Sequence, residues 1–89
     1  MPEREITISN RLGLHARASA KLVQLLQGYQ CNAWLVHRGR EVNAKSIMGV
    51  MMLAAGVGAT ITLRTEGADE ASAMQAMVDL FERKFDEGA

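Results

Sequence analysis

The hydrophobic pattern of the chain first changes its period between residues 10 and 19, and that change constrains everything after it. Upstream, Ile6-Thr7-Ile8-Ser9 alternates apolar and polar side chains as a half-buried strand does. Downstream, Ala18, Leu22, Leu25 and Leu26 fall at offsets 0, 4, 7 and 8, one apolar stripe of a helix running from about Ala16 to Gln27. A strand that hands on to an amphipathic helix cannot bury both apolar surfaces alone, so the rest of the chain must supply a sheet for the helix to cover. At the junction, Asn10–Ser19 (N-R-L-G-L-H-A-R-A-S) sets His15 at or beside the helix N-cap.

That position has chemical consequences. The first backbone N–H groups of a helix lack internal partners, and the helix dipole leaves partial positive charge there, so an anion beside His15 is favoured. The same positive end favours a neutral imidazole, which is a nucleophile. A phosphoryl group on the ring would face the N–H groups of Ala16 and Arg17, and the Arg17 guanidinium would add a charge-assisted contact.

The remaining pattern alternates strand and helix. Residues 3–9 form the first strand, with Ile6 and Ile8 facing in, and Gly28 stops the first helix. Cys31–Val36 and Glu41–Asn43 form a hairpin through His37-Arg38-Gly39-Arg40. Cys31, Ala33 and Leu35 are assigned to the core, Trp34 to the outer face and His37 to the surface. Lys45–Leu53 is a short helix capped by Ser46 and weakened by Gly49. So much of it is apolar that some of Ile47, Met48, Met51 and Met52 must be exposed, an adaptable docking patch. Ala54–Ala59 is a small flexible connector without phosphate-loop spacing. Thr60–Glu66 alternates as a fourth strand, ended by Gly67. Asp69 caps a long final helix, in which Met74, Met77, Val78, Phe81 and Phe85 form the stripe amid acids that extend to Glu87.

Composition narrows the class. Eighty-nine residues, 48% of them apolar with a single Pro, make one globular domain, residues 1–89, with one small core. No apolar run approaches membrane-spanning length. Met1-Pro2-Glu3-Arg4-Glu5 has no apolar signal region, and a cytoplasmic location is expected. Cys31 is the single cysteine, expected to be buried, and with two histidines it is too little for a zinc site; neither metal nor cofactor is expected. Net charge is zero, yet residues 1–45 hold seven Lys/Arg against three acids and residues 46–89 the reverse. The basic half containing His15 suits acidic surfaces or phosphorylated groups. Overall neutrality, and a Trp34 without a second aromatic on its sheet, argue against nucleic acid.

Gly13-Leu14-His15-Ala16-Arg17 resembles the active-site signature of the HPr family, the histidine phosphocarriers of the phosphoenolpyruvate-dependent phosphotransferase system, and of their nitrogen-branch paralogues. Lys45-Ser46-Ile47-Met48-Gly49-Val50-Met51 resembles the regulatory serine region of the same family. The resemblance covers the whole chain. It implies an α+β, HPr-like open-faced β-sandwich of order βαββαβα, with a four-stranded antiparallel sheet and three helices on one face. Periodicity alone equally allows a ferredoxin-like domain.

By that resemblance, His15 takes a phosphoryl group on Nδ1 from phosphorylated Enzyme I and passes it to EIIA domains, with Arg17 assisting. The protein is then a relay, rather than an enzyme turning over a small molecule, and a monomer. Ser46 is the candidate site for an HPr kinase/phosphorylase, beside docking residues Ile47, Met48, Met51 and Met52. The alternatives are a nitrogen-branch carrier with regulatory output and a non-catalytic interaction module in which His15 is only a cap. Ala18 stands where the family commonly has Pro, which removes stiffness from the first helical turn but no group needed for transfer. Leu12 is more apolar than many carriers show there.

Overall fold

In a computed structural model describing residues 2–87, seven regular elements follow one another: β1 (Glu3–Thr7), α1 (Ala16–Leu26), β2 (Asn32–His37), β3 (Arg40–Asn43), α2 (Ile47–Met52), β4 (Thr60–Glu66) and α3 (Glu70–Glu82). The strands form one antiparallel sheet in the order β1-β4-β2-β3. Period-two patterning fixes the register. Ile6 faces Ile61 across β1 and β4, and Leu35 faces Leu63 across β2 and β4, which puts Ala33, Leu35, Ile61, Leu63 and Thr65 on the buried side. Trp34 and Arg64, paired one residue away, lie partly exposed on the other side. All three helices cover the buried face, with Leu22, Leu26, Val50, Met77 and Val78 at most 2% exposed.

Several boundaries move for physical reasons. β1 ends two residues early, but Ile8 remains 1% exposed because its N–H donates to the Ala59 carbonyl and its carbonyl accepts from Gly58. α1 buries Ala18, Ser19, Leu22, Val23 and Leu26, leaving Leu25 half-buried. The stripe is turned toward Ser19, whose hydroxyl donates back to the Leu14 carbonyl at 3.3 Å. The β2–β3 turn has φ of 51° at Arg38 and 78° at Gly39, the doubly positive pair that matches the right-handed twist of the strands.

Asp69 precedes α3 but does not cap it through its side chain. Its carboxylate accepts instead from the N–H groups of Gln30 and Cys31, both at 2.9 Å, and ties the approach to β2 onto the start of α3. The Gln30 N–H foremost, and that of Cys31 as well, holds the Asp69 carboxyl below the usual carboxylate range despite partial desolvation. Cys31 is 2% exposed, and burial first, then Asp69, pushes its thiol up.

The largest departure is at the C-terminal end. The expected helix through Glu87 stops at Glu82, and Lys84, Phe85 and Asp86 follow with φ of 56°, 55° and 60°. Left-handed backbone at three residues with side chains costs about 3–6 kcal/mol. Phe85 offsets this: it is fully buried, its ring meets Phe81 edge-on with centroids 4.8 Å apart, and its carbonyl accepts from Lys21 Nζ at 2.6 Å. Burial of a Phe, an aromatic pair and a charged hydrogen bond together contribute about 4–7 kcal/mol. The apolar offset that looked like one more helical turn is thus satisfied by a chain reversal.

Candidate functional site

The loop before α1 is built around Gly13. Its φ is +66°, its N–H donates to the Asn10 carbonyl at 3.2 Å, and a Cβ there would meet the Ala55 carbonyl oxygen at 2.6 Å and the Gly56 Cα at 2.7 Å. Only a residue without a side chain lets these two backbones approach so closely. The next residue, Leu14, buries its side chain and donates its N–H to the Ala55 carbonyl at 3.0 Å. The Ala54–Ala59 segment, taken from sequence as a connector alone, is therefore the support of the site loop.

His15 is the N-cap of α1, with extended backbone (φ −74°, ψ 178°) and a side chain that makes no capping hydrogen bond. Its carbonyl starts the helix by accepting from Ser19, while the first-turn N–H groups, including those of Ala16 and Arg17, are left for an outside acceptor. The ring is 26% exposed and borders an open cavity of ≈ 620 Å³ lined by Arg11, Leu12, Arg17, Lys21, Asp86 and Glu87. Three of those residues are cationic.

The chain reversal after α3 delivers Glu87 to this histidine. Glu87 Oε2 lies 2.5 Å from His15 Nε2, and Glu87 Oε1 accepts from Asn10 Nδ2 at 3.2 Å. Desolvation alone would raise the Glu87 carboxyl, but hydrogen bonds from His15 and Asn10 and the charges of His15 and Lys21 hold it below the usual range. At neutral pH it is a carboxylate, an acceptor only. It therefore accepts a hydrogen bond from Nε2–H, and in the neutral ring the lone pair then resides on Nδ1, as a hydrogen bond to one nitrogen dictates for the other.

Glu87, Asn10, Arg11 and Lys21 were not singled out from sequence. Nothing in Arg83-Lys84-Phe85-Asp86 breaks a helix by composition, and Asn10 looks like any turn residue.

The second predicted region is α2. Ser46 is extended (φ −115°, ψ 116°) and its Oγ accepts from the Gly49 N–H at 3.1 Å, the expected cap. Val50 alone is buried in this helix, whereas Ile47, Met48, Met51 and Met52 are 41%, 68%, 38% and 61% exposed. Leu12 and Val57 are also exposed, at 66% and 60%. α2 packs on α1, and Ala55, three residues beyond Met52, holds Leu14 next to His15. Apolar patch and histidine loop are thus fixed to the same scaffold. His37 lies at the hairpin, its Nδ1 3.2 Å from the Thr60 carbonyl oxygen and apart from this group. No helix among the described residues is long and apolar enough to cross a membrane.

Comparison with known proteins gives a consistent picture. The sequence model of one family, described as PTS HPr component phosphorylation site, matches residues 2–83. The phosphocarrier protein HPr of Xylella fastidiosa is 59% identical over 98% of each chain. The phosphocarrier protein NPr of Shewanella violacea is 41% identical over 98% of this chain and 96% of its own. Among solved structures, HPr-C-His from Thermoanaerobacter tengcongensis superposes with a TM-score of 0.94 at 45% identity over 98% of each chain.

Proposed function

The chain belongs to the HPr family of phosphocarrier proteins of the phosphotransferase system, and from that premise we propose that Nδ1 of His15 accepts a phosphoryl group from phosphorylated Enzyme I and passes it to an EIIA domain. The observation that carries this reading is the Glu87 carboxylate on Nε2, which leaves the lone pair on the opposite nitrogen. The Nδ1 lone pair forms a bond to phosphorus as the bond to the donor breaks, and that electron pair leaves with the donor. The ring keeps its proton on Nε2 and becomes a phosphorylated imidazolium, whose charge the carboxylate balances. In the second half of the relay an acceptor's lone pair attacks phosphorus, and the N–P electrons return to Nδ1. No proton has to be gained or lost by the ring in either direction.

The Arg17 guanidinium and the N–H groups of Ala16 and Arg17 stabilise the phosphoryl oxygens, since helix-start donors and a guanidinium are suited to an anion. The apolar surface of Ile47, Met48, Met51 and Met52 docks Enzyme I and EIIA in the cytoplasm, with the carrier acting as a monomer. Ser46, at the edge of that surface, is the regulatory site for an HPr kinase/phosphorylase. Phosphate there would sit at a helix N-cap, where it adds charge to the docking face without melting the helix.

The test is incubation with Enzyme I and phosphoenolpyruvate. One acid-labile phosphate is expected on the wild type and none on His15→Ala. Equal labelling of both would overturn the assignment.

A further inference from the structure

We propose that Asn10 is a positioning residue of this relay: its carboxamide orients the Glu87 carboxylate so that the proton of His15 stays on Nε2. The inference rests on the reading of His15 as the phosphoryl acceptor and adds to it a residue that neither the sequence pattern nor the site signature singles out.

Asn10 is 1% exposed and is one of three buried polar residues among those described. Its single donor nitrogen serves two acceptors. Nδ2 lies 2.8 Å from the Gly13 carbonyl oxygen and 3.2 Å from Glu87 Oε1. One bond pins the turn that presents His15, and the other pins the carboxylate that touches it. Because Nδ2 is committed on both sides, the orientation of the amide follows from the network.

Its Oδ1, in contrast, is buried with no hydrogen-bond partner among the described residues. A buried acceptor without a donor disfavours the folded state, and an apolar side chain at this position would carry no such penalty. The bond to Gly13 accounts for a donor in the turn, whereas the second bond, to the carboxylate that touches His15, is accounted for by the geometry of the site. Three groups are linked in line, the His15 ring, the Glu87 carboxylate and the Asn10 amide. A ring nitrogen is held in one tautomer by a carboxylate that is itself oriented by a third group, the logic by which outer partners set the state of a reactive histidine. Free to rotate, the carboxylate would turn toward Lys21 and Arg17 on the same cavity, and the tautomer of the ring would no longer be fixed.

The experiment uses the full chain and reads the His15 ring nitrogens by long-range proton–nitrogen NMR, at a pH where the ring is neutral. The wild type is expected to show the Nε2–H form with Nδ1 unprotonated. In Asn10→Ala the tautomer ratio moves toward that of a free imidazole. The rate constant for phosphoryl uptake from phosphorylated Enzyme I, at saturating carrier, falls on the order of tenfold, the size usual for an outer partner of a reactive group. Asn10→Ser retains a short donor for the Gly13 carbonyl but cannot span to Glu87, so it shows the same tautomer change with the turn intact; it also serves if Asn10→Ala does not fold. In a Glu87→Ala background Asn10→Ser, which leaves the turn intact, changes neither readout further, because its effect passes through Glu87. An unchanged tautomer in both Asn10 variants, or losses that multiply in the double variant, would overturn the proposal. Loss of labelling in wild type would instead overturn the acceptor role of His15, and the tautomer readout would still decide the role of Asn10.

Discussion

Replacing Gly13 by alanine tests the link between the backbone of the site loop and the connector beneath it. The added Cβ would stand 2.6 Å from the Ala55 carbonyl oxygen and 2.7 Å from the Gly56 Cα, and both are backbone atoms that no rotamer change can move. The residue also has φ of +66°. Left-handed backbone costs alanine about 1–2 kcal/mol, and forcing a methyl group into a filled space costs about 1–3 kcal/mol more. A loss of about 2–5 kcal/mol is a large part of what a domain of this size has. It corresponds to a fall in Tm of about 8–40 °C for a chain of this length. Urea denaturation gives the free energy directly, and the slope of the transition shows whether unfolding stays two-state. The variant is expected to lose the Leu14 N–H to Ala55 hydrogen bond, visible as faster amide exchange at Leu14. A Gly13→Ala protein within about 0.5 kcal/mol of wild type, the range of an ordinary surface substitution, would refute the reasoning.

Other consequences follow from the same geometry. Phe85→Ala removes a fully buried ring and is expected to cost about 3–5 kcal/mol, measured by urea denaturation, while releasing Glu87 and loosening the His15 tautomer in NMR spectra. The Asp69 carboxyl is held below its ordinary value by N–H donors, so its contribution is present above the unfolded carboxylate value of about 3.9 and is lost as pH falls through the depressed folded value. Asp69→Asn should therefore be less stable than wild type at neutral pH and show a shallower loss on acidification, followed by thermal melts across the acid range. Met48 is 68% exposed, so Met48→Glu should leave stability within about 0.5 kcal/mol yet raise the KM for the carrier in transfer from Enzyme I. Ser46→Ala removes the acceptor of the Gly49 N–H and is expected to cost about 1 kcal/mol by urea denaturation.

Periodicity made most of the framework legible. Ile61 and Leu63 alternate cleanly with exposed or half-buried polar neighbours, and strand pairing uses that alternation directly. Ala18, Leu22 and Leu26 mark the buried face of α1, and Ser46 caps α2 because its side chain meets a local N–H, a contact set by near neighbours in the chain. His15 was legible for the same reason: a residue at the change of period is at the helix start.

Long-range contacts were not legible. Asp69 has the composition of a cap, but Gln30 and Cys31 outcompete its own helix for the carboxylate, and they lie 39 and 38 residues away. The Phe85 offset fits another helical turn, and only burial against Phe81 shows that the chain reverses there. Glu87 consequently looks like one more acid on a solvated helix end, whereas it reaches His15 across 72 residues. Ala55 lies in a glycine-rich stretch without chemical side chains, so its role, carried by a backbone carbonyl, left no trace in residue types.

In the relay proposed above, the phosphoryl group resides on Nδ1 of His15 while Nε2 keeps its proton against Glu87. The direct measurement is the ring-nitrogen NMR spectrum of the protein after transfer from Enzyme I and phosphoenolpyruvate. Phosphorus coupling to Nδ1, with Nε2 still protonated, is the predicted result. Coupling to Nε2, or a phosphate on any residue other than His15, would contradict it.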